Sequence, residues 1–338
     1  MKKFIDPKGN YILFIPIEWG YKNGMYDAIE TAPDSFELYE DSVGCFQISC
    51  NSINQGKIPV LIENNKLEPQ KRGVKELNFT ENQILAEKFD IYMWMAVIED
   101  KFLMCKYIYD SDKRDNPKVL AEIKKAKKTL QTILFIEEKY KEDVLNSERF
   151  NKFMTSLGAS LDLKNRAYEN GSSIELVVLL ANQIDALLRL TLILKKQIAD
   201  DTNKIDTTLI YQAEADKPIM EKKVYQLALE QGIIDQNLYD ELFDLYNKRN
   251  KVIHRYIITD LLTKDVMKIV YDYGIMQEKI GEVVKKYEQD QFKAKIGIYG
   301  IDYPPDTPLN ELRKREMIGG LKEKHANDEL NKGITFTL

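Results

Sequence analysis

Arg249-Asn250-Lys251-Val252-Ile253-His254 brings a permanent cation, an amide and an imidazole together in one short run, and His254 is one of two histidines in a chain of 338 residues. The stretch from Leu238 to His254 reads as one amphipathic helix. Leu238, Leu242, Leu245, Val252 and Ile253 recur at helical spacing, while charged and amide residues fill the opposite face. Asn250 and His254 are four apart, so one stands above the other on one side of that helix. Arg249 lies one position earlier, with a side chain long enough to swing to the same surface. Gathered on one edge, these groups have the chemistry to hold and cleave a phosphodiester. Imidazole titrates nearest neutral pH and can take or give a proton, which typically contributes roughly 10²–10⁴-fold in rate. Guanidinium stays charged and can set two N–H donors against phosphate oxygens as charge develops there. Asn250 can orient His254 or the scissile group. The plain alternative is a polar helix edge making ordinary helix hydrogen bonds.

The elements around this run are helical from about residue 142 onward. A short helix or connector spans Asn151 to Leu161, and Asn170-Gly-Ser-Ser173 supplies a stop followed by Ser173 as a new N-cap. The apolar helix after it ends near Asp200 and carries Asp185. A polar loop, residues 201–208, precedes a helix opened by Lys217-Pro-Ile-Met-Glu221 and stopped at Gln231-Gly232. The Arg249–His254 helix starts after Asp235, and a long helix from Thr263 to about Gln291 follows. From Ile296 the chain changes character. Tyr303-Pro-Pro-Asp-Thr-Pro308 is extended, a charged helical segment runs from Leu309 to about Lys324, and His325 within it is expected to face solvent.

With Arg249-Asn250 followed after Lys-Val-Ile by His254, preceded by Gly232-Ile-Ile-Asp235 and a Leu-rich run, residues 170–292 resemble the HEPN superfamily of compact helical bundles. Its signature is an arginine, usually followed by a polar residue, then a histidine after four to six intervening positions. The resemblance implies metal-independent RNA cleavage, with no cofactor, in a cleft between two protomers. Arg249, Asn250 and His254 are then the catalytic set. Asp185 is a supporting residue able to pair with Arg249 or hold the His254 tautomer, although a helix-paired or solvated carboxylate reads equally well. Lys251 and Arg255 are candidates for flanking phosphates. Many members of the superfamily are non-catalytic, so a HEPN-like dimerisation module is the alternative. A prokaryotic defence or toxin role is the setting this resemblance implies.

The first third reads as mixed α/β. Tyr11–Trp19, Phe36–Glu40 and Gly44–Cys50 are short aromatic or β-branched runs between polar turns, and 57–63 is a further strand candidate. Residues 90–98 and 102–109 flank Glu99-Asp-Lys101 as a hairpin. A helix from about Pro117 to Lys139 carries Leu120, Ile123, Ala126, Leu130 and Ile133 along one stripe, with proline in its first turn. Ile-Pro-Ile-Glu-Trp19, Ser35-Phe-Glu-Leu-Tyr39, Gly44-Cys-Phe-Gln-Ile-Ser49 and the closing Thr129-Leu-Gln-Thr-Ile133 resemble the PsbP-like α/β/α sandwich family over residues 1–140. That resemblance implies a partner- or ligand-binding fold without catalysis, so a sensor or a docking site for a protein partner or inhibitor. The expected architecture is thus α+β in two domains: an antiparallel α/β sandwich over 1–140, a helical connector over 141–169, an all-α bundle over 170–292 and a C-terminal arm over 293–338.

Composition narrows the alternatives. A length of 338 residues favours two domains. The net charge of −5, from 49 Lys+Arg against 54 Asp+Glu, supplies no global field for nucleic acid, so RNA contact must rest on a local patch. Ile174 to Leu194 is apolar enough to suggest a membrane span. It nevertheless carries Glu175, Asn182, Gln183, Asp185 and Arg189, which are costly together in lipid and point to a buried helix. Cys45, Cys50 and Cys105 form neither a disulfide framework nor a zinc spacing, and with no signal peptide visible the expected compartment is the cytoplasm. Glu214 and Asp216 lack metal-ligand spacing, the lysines of 122–128 read as a solvated helix face, and Trp19 and Trp94 read as packing residues.

Overall fold

The computed structural model describes residues 1–22, 33–38, 41–71, 77–212, 217–301 and 308–325, with side chains from 316 onward in the last segment. Glu214, Asp216 and the extended run 303–307 lie outside the described residues. The chain divides into two compact units, Met1–Leu145 and Asn146–Leu338, giving a sheet-rich N-terminal part and a helical C-terminal part. It is a two-domain α+β protein.

The first unit is built on a large sheet in the order β3 (Trp19–Tyr21), β4 (Asp34–Leu38), β5 (Cys45–Ser52), β9 (Lys101–Asp110), β8 (Phe89–Ile98), β6 (Pro69–Gln70), with β7 (Thr80–Ile84) also on β8. Every pairing is antiparallel except β6 on β8. Strand periodicity sorts the faces. Trp94, Ala96 and Ile98 point to one side with Leu103, Cys105, Tyr107, Phe46 and Ile48, covered by Val119, Ile123, Ala126 and Leu130 of α2 (Pro117–Leu130). Met95, Val97 and Phe102 point to the other side, where Ile58 and Ile62 of α1 (Ile58–Asn64) cover them. A small sheet of β1 (Lys2–Ile5), β2 (Tyr11–Ile15) and β10 (Leu134–Phe135) adds Phe4, Tyr11, Leu13 and Ile15 to the larger core.

The β8–β9 hairpin forms as expected, with Glu99 in the left-handed region at φ 51°. Three expectations for this unit need correction. Residues 58–64 are helical rather than a strand, since Pro59 suits a first helical turn and denies a sheet its donor. Tyr11–Trp19 breaks at Pro16 into two strands of different sheets. The helix begun at Pro117 stops at Leu130, and Leu134–Phe135 then pairs with β2; Leu120, assigned to its apolar stripe, is exposed. Both tryptophans are core residues, with the Trp19 indole donating to Glu122 at 2.6 Å. Lys125 pairs with Glu18 and Glu122, and Lys127 with Glu81, so these lysines are engaged within their own unit.

Most of α3 (Glu138–Glu169) belongs to the second unit, and it is one continuous helix where a short 151–161 segment was expected. It contains no proline, and its glycine, Gly158, is the place where Leu321 approaches: an added Cβ there would sit 3.2 Å from the leucine. The apolar α4 (Ser173–Ala199) is the central helix of the bundle. It is long and apolar enough to cross a membrane, yet Val177, Leu180, Ala181, Ile184, Leu188 and Leu192 are buried against the other helices. It starts at Ser173, and its N-cap, Ser172, makes no side-chain capping bond. Around it pack α5 (Glu221–Glu230), α6 (Gln236–Arg255) and α7 (Thr263–Ala294). The last helix among the described residues, α8 (Pro308–His325), lies within the segment expected to be a C-terminal arm. His325 is not solvent-facing: its side chain is 3% exposed, with Nε2 3.1 Å from Asp162 of α3.

Candidate active site

Two local signals set α6 in place. Gly232, at φ 64°, ends α5: its N–H donates to Leu229 and that of Ile233 reaches back to Ala228, an arrangement that favours glycine. Asp235 then caps α6, its carboxylate accepting from the Leu238 N–H at 2.8 Å. Leu242, Leu245 and Val252 are buried against the bundle. Ile253, assigned to the same apolar face, is exposed. By helix geometry it lies about 100° from Val252, which carries it off the core side.

The signature residues then divide. Asn250 and His254 share one side of α6, and His254 is exposed, with no hydrogen-bond or ion-pair partner among the described residues. Lys251 and Arg255 are exposed as well. Arg249 is held against α5 instead of standing free. Its side chain is 16% exposed, and Nη1 donates to a Glu221 carboxylate oxygen of α5. Nη2 donates to Asn250 Oδ1 at 3.2 Å, and the guanidinium carbon lies 4.7 Å from the centre of the Tyr246 ring. Its Nε–H is buried without a partner.

Asp185 approaches this cluster from α4. Its Oδ2 accepts from Arg189 Nε at 2.7 Å, the helix-paired arrangement, and it is not bonded to His254. Arg189 is fixed further by the carbonyls of Leu209 and Ile219, at 2.6 and 2.8 Å. Asp185 Oδ1 is buried and unbonded. Burial raises the Asp185 pKa, while Arg189 and then Arg249 pull it back. Glu221 is likewise raised by burial, opposed by the Tyr225 hydroxyl that donates to it and by Arg249. A cleft of about 350 Å³ opens beside Asp185 and Arg189, lined also by Phe153 and Leu209.

Sequence reasoning missed Glu221, Tyr225 and Arg189, the groups that hold Arg249 and Asp185. Arg189 had a signal, its four-residue spacing from Asp185. Glu221 had none, because its position relative to Arg249 depends on how α5 packs on α6. Among the described residues no group of three His, Cys, Asp or Glu side chains is placed to hold a metal ion.

No family model matches the chain, and no curated relative does. Among solved structures, a crystal structure from Bacteroides thetaiotaomicron VPI-5482 is similar over 75% of this chain and 79% of that one, at 14% identity and a TM-score of 0.30.

Proposed function

We propose that the helical unit is a HEPN-type, metal-independent endoribonuclease acting as a homodimer. The observation that carries this reading is the exposed, unpartnered His254 on the same side of α6 as Asn250, whose Oδ1 accepts from the Arg249 guanidinium. His254 takes the proton from an RNA 2′-hydroxyl or returns it to the leaving oxygen. Arg249 stabilises the charge that develops on the phosphorus-bound oxygens once it exchanges Glu221 for the phosphate. Lys251 and Arg255 meet flanking phosphates. Exposed apolar residues that follow His254 in the chain support self-association: Ile257 is 94% exposed and Ile258 79%, with Leu262, and Met267 and Tyr271 on α7, exposed further along. A second copy docked on these residues brings a second His254 close to the first. The setting we propose is a cytoplasmic prokaryotic defence or toxin effector, with the first unit sensing or docking a protein partner.

A second reading, a non-catalytic HEPN-like interaction module, is favoured by the engagement of Arg249 with Glu221, Asn250 and Tyr246. Analysis of the product ends separates the two. The ribonuclease cleaves RNA in EDTA and leaves 2′,3′-cyclic phosphates, whereas the interaction module yields no such ends at any protein concentration.

A further inference from the structure

Tyr239, Phe243 and Tyr246 form a ladder of rings along α6. The first pair of centroids is 6.2 Å apart with planes inclined by 24°, and the second 6.4 Å apart with planes inclined by 28°. Spacings of four and three keep them on one face. At about 100° per residue the same face continues through Asn250 to His254, all within about 60° of Tyr239. Leu242, Leu245 and Val252 occupy the adjoining sector, so the ladder runs along the rim of the core side. Tyr239 and Tyr246 rest partly on the bundle core, but Phe243 stands outside it.

Two cations lie over these rings. Lys222 of α5 places Nζ 4.6 Å from the centre of Phe243 and 4.5 Å from that of Tyr246, and Arg249 stacks on Tyr246 at 4.7 Å. Lys222 is exposed and makes no ion pair among the described residues. The nearby acids are otherwise engaged: Asp240 accepts from Gln236, and Asp244 pairs with Lys248. All three rings are half-buried, so each keeps part of its surface at solvent, and Lys222 and Arg249 are the groups that lie over Phe243 and Tyr246.

Building on the ribonuclease reading, we infer that this ladder is the track by which single-stranded RNA reaches His254. Bases stack on the rings without regard to sequence, because every base has a π face, and the phosphates meet Lys222 beside the rings, with Lys251 and Arg255 off the ring face at the His254 end. The track from Tyr239 to His254 is about 22 Å long at the helical rise. A duplex holds its bases in its own stack and cannot use the rings, so the substrate class is single-stranded RNA or loops.

The test is binding of a labelled single-stranded RNA of about ten nucleotides to the full chain carrying His254→Ala, by fluorescence anisotropy. Phe243→Leu in that background keeps bulk and removes the π face. It is expected to weaken binding about tenfold, within the range for loss of one stacked base. Phe243→Trp is expected to preserve binding, and Lys222→Ala to weaken it and flatten its salt dependence. Affinity unchanged by Phe243→Leu, equal affinity for the matched duplex, or no binding at all overturns the track. Cleavage by wild type that ignores the ladder variants overturns the track and leaves the ribonuclease. Ladder-dependent binding without His254-dependent cleavage does the reverse.

Discussion

Glu221, the first residue of α5, holds the guanidinium of Arg249 on α6, and its second oxygen accepts from Tyr225. Both charged side chains are largely covered, at 12% and 16% exposed. A guanidinium fork suits a carboxylate and a phosphate equally well, so the pair keeps Arg249 in the geometry an anion needs while an anion already occupies it. Arg249 and His254 therefore stand differently in the structure, one held and one open.

Replacing Glu221 by Gln retains its size and its ability to accept a hydrogen bond but removes the competing charge. RNA cleavage by Glu221→Gln is expected to rise several-fold in kcat/KM, measured under single-turnover conditions. A fall in activity with unchanged thermal stability would show instead that the carboxylate positions Arg249 for the reaction. Glu221→Ala, which leaves a buried cation alone, is expected to cost about 3–5 kcal/mol of stability, read from the denaturant midpoint.

Burial raises both Asp185 and Glu221 above the ordinary carboxylate value. With folded-state pKa values above those of the unfolded chain, the folded form binds more protons across the interval between them. The contribution of these two groups to stability is therefore fully present at acid pH, and it is lost as pH rises from about 4 through the raised values. Urea midpoints of wild type and Asp185→Asn across that interval test this. The asparagine variant should lose part of the downward slope, and an identical slope would contradict the assignment.

Cys45 and Cys105 are set up to be inert. Burial pushes Cys45 up to about 11 and raises Cys105 well above its ordinary value. Cys45 and Cys50 lie on opposite faces of β5, with Cys50 packed against the core that contains Cys105. A thiol-specific maleimide at neutral pH is expected to label Cys45 and Cys105 slowly in the native chain and at once in the urea-unfolded chain. Rapid native labelling of Cys45 or Cys105 would contradict this.

Ile258→Glu places a charge among the exposed apolar residues that follow His254, without touching the bundle core. The expected outcome is a shift towards monomer in sedimentation equilibrium, with cleavage reduced in proportion to the dimer lost. A wild-type chain that is monomeric at high concentration would remove the dimer from the account.

The parts of the fold legible in the sequence were those carried by local rules. The β8–β9 hairpin followed from two β-rich runs around a short polar turn, the end of α5 from Gly232, and the start of α6 from Asp235. What stayed hidden depends on distant contacts. Leu134–Phe135 is a strand because β2 lies beside it, and 138–169 is one helix with little apolar periodicity of its own. His325 looks like a tail residue until α8 brings it to Asp162. At the site, Arg249, Asn250 and His254 could be read from spacing, but not that Arg249 is held against α5, since Glu221 is 28 positions away. The ring ladder stands in the sequence at spacings of four and three, a pattern the reading of the apolar stripe did not single out.

The central claim is that His254 cleaves RNA with the help of Arg249. Its most direct measurement is incubation of purified chain with end-labelled tRNA and unstructured RNA in EDTA, beside His254→Ala and Arg249→Lys. The account predicts cleavage by wild type, none by His254→Ala with its fold and dimer intact, and severe loss in Arg249→Lys, because an ammonium cannot reproduce the planar fork. Intact RNA in every lane, a strict requirement for added metal, or cleavage that survives His254→Ala would contradict it.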